Sequence, residues 1–171
     1  MATRAPLNQP TKATAAVPVV PPAPRPASQP LSLGVLSDVL GYHVAQAAVT
    51  TVDMFERHIG QPFGLRKVEY SLLLLVLANG PLTPKRLGQA LALSAPNLTL
   101  LLDRLQGRDL IRRERSAIDG RSQNIVLTEA GLRLAETTAA AASAMEAELA
   151  DRLSRAERLM LIELLRKVAG R

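Results

Sequence analysis

From Leu33 onward, apolar positions recur at three- and four-residue steps: Val35, Leu36, Val39, Leu40, Val44, Ala47, Ala48, Thr51, Met54, Phe55 and Ile59. That spacing puts one apolar stripe on a helix, and Gly60-Gln61-Pro62 is expected to stop it. A second helix is expected over about residues 65–78, closed by Asn79-Gly80-Pro81. It is almost wholly apolar after Tyr70, which predicts a place at the centre of the core.

Thr83-Pro84 then pairs a good N-cap with a residue suited to the first helical position. A short helix from Pro84 to about Leu91 follows, exposing Lys85 and Arg86. After Ala92-Leu93, Ser94 is placed to cap a helix with Pro96 in its first turn, running to about Gln106. Leu98, Leu101, Leu102 and Leu105 share the inward face of that helix. Two helices joined by a two- or three-residue turn are a helix-turn-helix signature. In that motif the start of the second helix meets base edges in the major groove.

Residues 110–114 and 123–127 read as two strands around a turn tipped by Asp119-Gly120, with Arg112, Arg113, Arg115 and Arg121 along the hairpin. A hairpin directly after a helix-turn-helix is a wing, and its arginines suit phosphates and the minor groove. Strand alternation sends Arg112 and Arg113 to opposite faces, and Arg113 is expected to pair with Asp103 or Asp119. Thr128 caps the next helix, which runs through an alanine-rich stretch to about Ala150. Ser154-x-x-Glu157 is a capping box that opens a last helix with Leu159, Ile162, Leu165 and Val168 on one face. The first and last helices carry more apolar surface than a monomer could cover, which predicts a dimer interface.

Composition narrows the chemistry. Cysteine is absent and histidine is limited to His43 and His58, so disulfides, thiolate zinc and histidine metal clusters are not expected. No nucleophile elbow, phosphate loop or metal motif occurs, so no catalytic residue and no cofactor are assigned. The formal charge is +6, and residues 85–121 concentrate it, with eight basic and four acidic side chains. Such a local excess suits a polyanion. Residues 1–33 hold eight of the twelve prolines and read as a disordered tail. No secretory segment or apolar run of membrane length is present, so a cytoplasmic protein without membrane partners is expected.

The expected fold is mainly α (α+β). Residues 65–127 form a winged helix-turn-helix lobe, and residues 34–62 and 128–171 form flanking dimerisation helices. This order, with GLRKVEYSLLLLVL, LTPKRLGQALALSAPNLTLLLDRL and DGRSQNIVLTEAG, resembles the multiple antibiotic resistance regulator (MarR) family over residues 34–171. The last segment carries the most specific part, with Asp119 and Arg121 in the wing and then Leu127, Thr128 and Gly131. The resemblance implies a homodimeric repressor that binds a pseudo-palindromic double-stranded DNA operator and leaves it when a small aromatic carboxylate binds.

By the same resemblance, Ser94, Pro96, Asn97 and Thr99 match the base-facing start of the recognition helix. Arg104 matches an arginine that braces the wing or reaches a phosphate. Arg121 matches the wing arginine, Asp119 the acid that orients it, and Lys85 and Arg86 lie close to the backbone; Arg115 and Ser122 complete the DNA-binding set. The family's effector cleft lies between the dimer helices and the DNA-binding lobe. There His43, Asp53, Arg57 and His58 on the first helix and Arg66, Lys67 and Tyr70 on the second are the candidates, since a carboxylate wants Arg, His or Tyr donors. Two positions depart from the family. Leu100 stands where many relatives carry Arg or another polar residue, and Asp109 stands where they often place glycine, which leaves Gly107 to supply the left-handed cap.

Overall fold

The computed structural model describes residues 30–115 and 123–170. The chain divides into two units at Leu40, and the described residues of the first carry a 3-10 turn, Gly34–Asp38. The sequence reading began the first α-helix at Leu33. Instead Val39 is extended (φ −90°, ψ 100°), which breaks the helical run, and α1 spans Leu40–Phe55.

The second unit, from Leu40 on, holds the fold. α1 does not stop at Gly60. It widens into a π-helical segment, Glu56–Gly60, and tightens again into α2, Gln61–Phe63. Pro62 falls in the first turn of α2, where its missing N–H costs nothing, so it continues the helical path rather than ending it. The stop is Gly64, at φ +60°, a conformation glycine adopts without strain.

α3 spans Lys67–Asn79 and buries Leu72, Leu73 and Val76, as its apolar run predicts. α4 is Pro84–Leu91, with the Arg86 N–H donating to Thr83 Oγ1 at 3.4 Å. Ala92, at φ +53°, turns the chain. α5 spans Ala95–Gly107 with Ser94 in the N-cap position, although the Ser94 hydroxyl makes no capping bond. Leu98, Leu101, Leu102 and Leu105 are all buried, so the rotation of α5 about its axis is fixed as expected.

The left-handed residue after α5 is not Gly107. Gly107 is helical, and Asp109 itself stands at φ +55°. Aspartate tolerates this region better than most residues. The Thr128 hydroxyl holds the Asp109 carbonyl at 2.5 Å.

The wing strands are β1, Ile111–Arg115, and β2, Gln123–Leu127, paired antiparallel with Ile111 opposite Leu127 and Arg115 opposite Gln123. Leu82, just before α4, bridges to Ile125 through both backbone bonds, at 2.8 and 3.2 Å. The base of the wing is thereby tied to the entrance of the helix-turn-helix.

α6 spans Glu129–Ala147, shorter than the stretch to Ala150 expected from sequence. The Gly131 N–H donates to Thr128 Oγ1 at 3.0 Å, so the threonine cap forms. α7, Arg155–Val168, opens on the expected Ser154–Glu157 box. It leaves Leu159, Met160, Leu161, Ile162, Leu164, Leu165 and Val168 exposed. No described helix is long and apolar enough to cross a membrane.

Candidate nucleic-acid interface and the cluster behind it

The surface formed by α4, α5 and the wing base follows from the leucine face of α5. With Leu98, Leu101, Leu102 and Leu105 turned inward, Ser94, Pro96, Asn97 and Thr99 are left exposed at the start of the helix. Lys85 and Arg86 are exposed on the first turn of α4. A groove of about 590 Å³ runs between the two helices and the wing, with Lys85, Gln89, Thr99, Arg113 and Gln123 among its walls.

The strand register assigns the wing arginines. Arg113 lies on the side of the hairpin that carries Ile111 and pairs with Asp103 of α5 at 2.5 Å. Asp103 is one of the two partners expected from sequence. Arg112, on the opposite side, pairs with Glu114 at 2.6 Å. Arg115 is exposed at the end of β1. Asp119, Arg121 and Ser122 lie outside the described residues.

Among the described residues, the partner of Arg104 lies in α3 rather than in the wing strands. Its guanidinium sits 3.6 Å from Oε1 of Glu69, a carboxylate that is 1% exposed. Arg108 reaches Oε2 of the same group at 3.4 Å and also donates to the Gly64 carbonyl at 3.0 Å. The Arg66 N–H donates to Glu69 Oε2 at 2.9 Å. Glu69 therefore closes the start of α3 and draws the C-terminal end of α5 onto it. Sequence reading missed Glu69 and Arg108. The available signal was an acid in the first turn of α3, where the helix dipole favours one.

The effector candidates are divided among several places. His43 is exposed on α1 with its ring edge-on to Tyr42 at 5.4 Å. Arg66 and Lys67 are exposed at the start of α3. Tyr70 is half-buried against Phe55, ring centroids 5.6 Å apart, and burial pushes its phenol up, with Glu146 adding to the effect. Asp53, Arg57 and His58 come together. Arg57 grips Glu148 of the α6 end with two bonds of 2.8 Å and takes Asp53 at 3.1 Å. His58 Nε2 lies 2.5 Å from Glu148 Oε1. The π-helical segment changes the angular step between residues, and the two adjacent side chains Arg57 and His58 converge on one carboxylate. Sequence reading did not find Glu148.

The Arg57 guanidinium, with help from His58, holds the Glu148 carboxyl down at about 2. A depressed acid stabilises the fold above its ordinary value and loses that contribution as pH falls toward the folded value. The tie is expected to be intact above about 4.5 and lost as pH approaches 2. Thermal unfolding followed across that window should show a steeper acid limb for the native chain than for Glu148→Gln. Parallel limbs would mean that the contact contributes nothing.

Among the described residues no group of histidine, aspartate and glutamate could hold a metal ion. With this geometry in view, comparison with known proteins is specific. The sequence model of the MarR family matches residues 63–122. The organic hydroperoxide resistance transcriptional regulator of Bacillus subtilis is 43% identical over 68 residues, covering 40% of this chain and 46% of that protein. The matched stretch thus spans less than half the length of that relative. The transcriptional repressor CouR, solved bound to a 23-mer DNA duplex, is 31% identical with a TM-score of 0.74, covering 82% of this chain and 99% of that one. The same repressor bound to p-coumaroyl-CoA gives 29% identity and a TM-score of 0.71, covering 82% and 98%. These proteins are regulators, not enzymes. With the helix-turn-helix, the wing and the closing helices in this order, the chain belongs to the MarR family of winged-helix transcriptional regulators.

Proposed function

We propose that the protein is a homodimeric repressor that binds a pseudo-palindromic DNA operator and releases it when a small aromatic carboxylate or its thioester binds. The observation that carries the DNA part is the exposed start of α5, where Ser94, Pro96, Asn97 and Thr99 face solvent, with Lys85 and Arg86 exposed at the start of α4. Asn97 is suited to bidentate reading of adenine, while Lys85, Arg86 and Arg115 supply phosphate contacts; Ser94, Pro96 and Thr99 flank the bases, and Asp119, Arg121 and Ser122 extend the contact from the wing tip. The exposed apolar face of α7 supports a dimer. A second copy would cover that face and set two recognition helices about one DNA turn apart, roughly 34 Å.

CouR is described as bound to p-coumaroyl-CoA, which supports an aromatic acid derivative here. The lack of cysteine separates this chain from any response by thiol oxidation. Such a ligand must bind better to a spacing that does not fit DNA. A second reading, constitutive DNA binding without an effector, is favoured by one observation: Arg57 and His58 already engage Glu148.

A mobility-shift titration on the protein's own upstream DNA, repeated with aromatic carboxylates and aromatic acyl-CoA thioesters, separates the two. Release by one compound is the expected result. Binding that no compound disturbs supports the constitutive reading.

A further inference from the structure

The outward face of α5 carries an unexpected side chain. Leu100 is 65% exposed. Single exposed leucines are ordinary on protein surfaces, but this one is isolated. Among the described residues from 50 to 131 it is the one large apolar side chain so exposed, while the others fall within 31–49 and 132–168. The buried face of α5 fixes its direction. At 3.6 residues per turn, Leu100 points away from Leu98, Leu101, Leu102 and Leu105. Pro96 lies one turn before it on the same side.

The polar groups nearby are engaged. The Thr99 hydroxyl donates to the Ala95 carbonyl at 3.0 Å. Asp103, one turn beyond Leu100, is held by Arg113, and Arg104 is held by Glu69. Residues 95–103 contain no lysine or arginine, the usual readers of guanine. The first two turns of α5 therefore present the Asn97 amide beside an apolar surface made by Pro96 and Leu100.

In the major groove the apolar feature of a base pair is the C5-methyl of thymine. We propose that Leu100 reads a thymine methyl group, so that each half-site selects an A·T pair through apolar contact next to the adenine read by Asn97. The proposal rests on the DNA-binding reading above. Burying one methyl group is worth about a fourfold change in affinity, hence about 16-fold when both half-sites of a dimer are altered.

The test uses the full-length protein and the duplex it selects from a random library. Each thymine is replaced by uracil at both symmetric positions, which removes the methyl and leaves the pairing unchanged. For the native chain one position should weaken binding by about tenfold or more. For Leu100→Ala, uracil and thymine at that position should bind within about twofold. Alanine is a good helix former and the site is exposed, so the variant should fold. An unchanged uracil penalty in Leu100→Ala, or no penalty at any thymine in the native chain, would overturn the role of Leu100 alone. Failure to select any duplex would overturn the DNA-reading function and this inference with it.

Discussion

Gly131→Ala is expected to lower the unfolding free energy by at least about 3 kcal/mol, the upper range for overpacking. Gly131 is buried at the start of α6, and a methyl group there would stand 1.8 Å from the Leu110 carbonyl oxygen and 2.8 Å from its carbon. Both obstacles are backbone, so no side chain can move aside. Three bonds hold that backbone. The Leu110 carbonyl accepts from the Thr128 N–H at 3.2 Å, the Asp109 carbonyl accepts from the Thr128 hydroxyl at 2.5 Å, and Gly131 itself donates to Thr128 Oγ1 at 3.0 Å. The exit of the wing and the start of α6 are one locked joint, and alanine must break it. Urea unfolding at fixed protein concentration, which a dimer requires, gives the value. A loss below about 1 kcal/mol would show that α6 does not lie against Leu110.

Glu69→Ala is the second large effect, expected to cost about 2–4 kcal/mol. The carboxylate is buried and accepts from the Arg66 N–H while facing Arg104 and Arg108. Its loss strands a helix-start N–H, leaves a void and removes the shared anion between two guanidinium groups. Both arginine side chains are more than a third exposed, so solvent screens the ionic part. Most of the cost should come from the N–H and the void. Glu69→Gln, which keeps an acceptor and the shape, should therefore lose less than half as much in the same unfolding experiment. Equal losses for the two variants would instead assign the effect to charge.

The parts of the fold that were legible in the sequence are those fixed by local chemistry. Thr83-Pro84, Thr128 through Gly131 and the Ser154–Glu157 box each name a helix start within four residues. The leucines of α5 name its buried face. What escaped depends on partners distant in the chain. Glu148 lies 91 residues from Arg57, and nothing in the sequence pairs them. Glu69 and Arg108 are 39 residues apart. The π-helical segment was hidden because Gly60-Gln61-Pro62 has the composition of a stop, yet Pro62 sits in the first turn of α2 and Gly64 takes the turn. Asp109 was passed over in favour of Gly107 because propensity favours glycine, whereas Thr128 holds the aspartate in place. The wing sequence Asp119–Arg121 carried the most specific part of the family resemblance.

DNA reading by the start of α5 is tested by a binding titration. Purified full-length protein is titrated against its own upstream duplex and a scrambled duplex of equal length, over a range of salt concentrations. The expected result is a preference for the upstream sequence of about 1,000-fold or more, falling affinity as salt rises, and a loss of base preference at one position in Asn97→Ala. Equal affinity for both duplexes, or an Asn97→Ala variant with unaltered preference, would contradict the account.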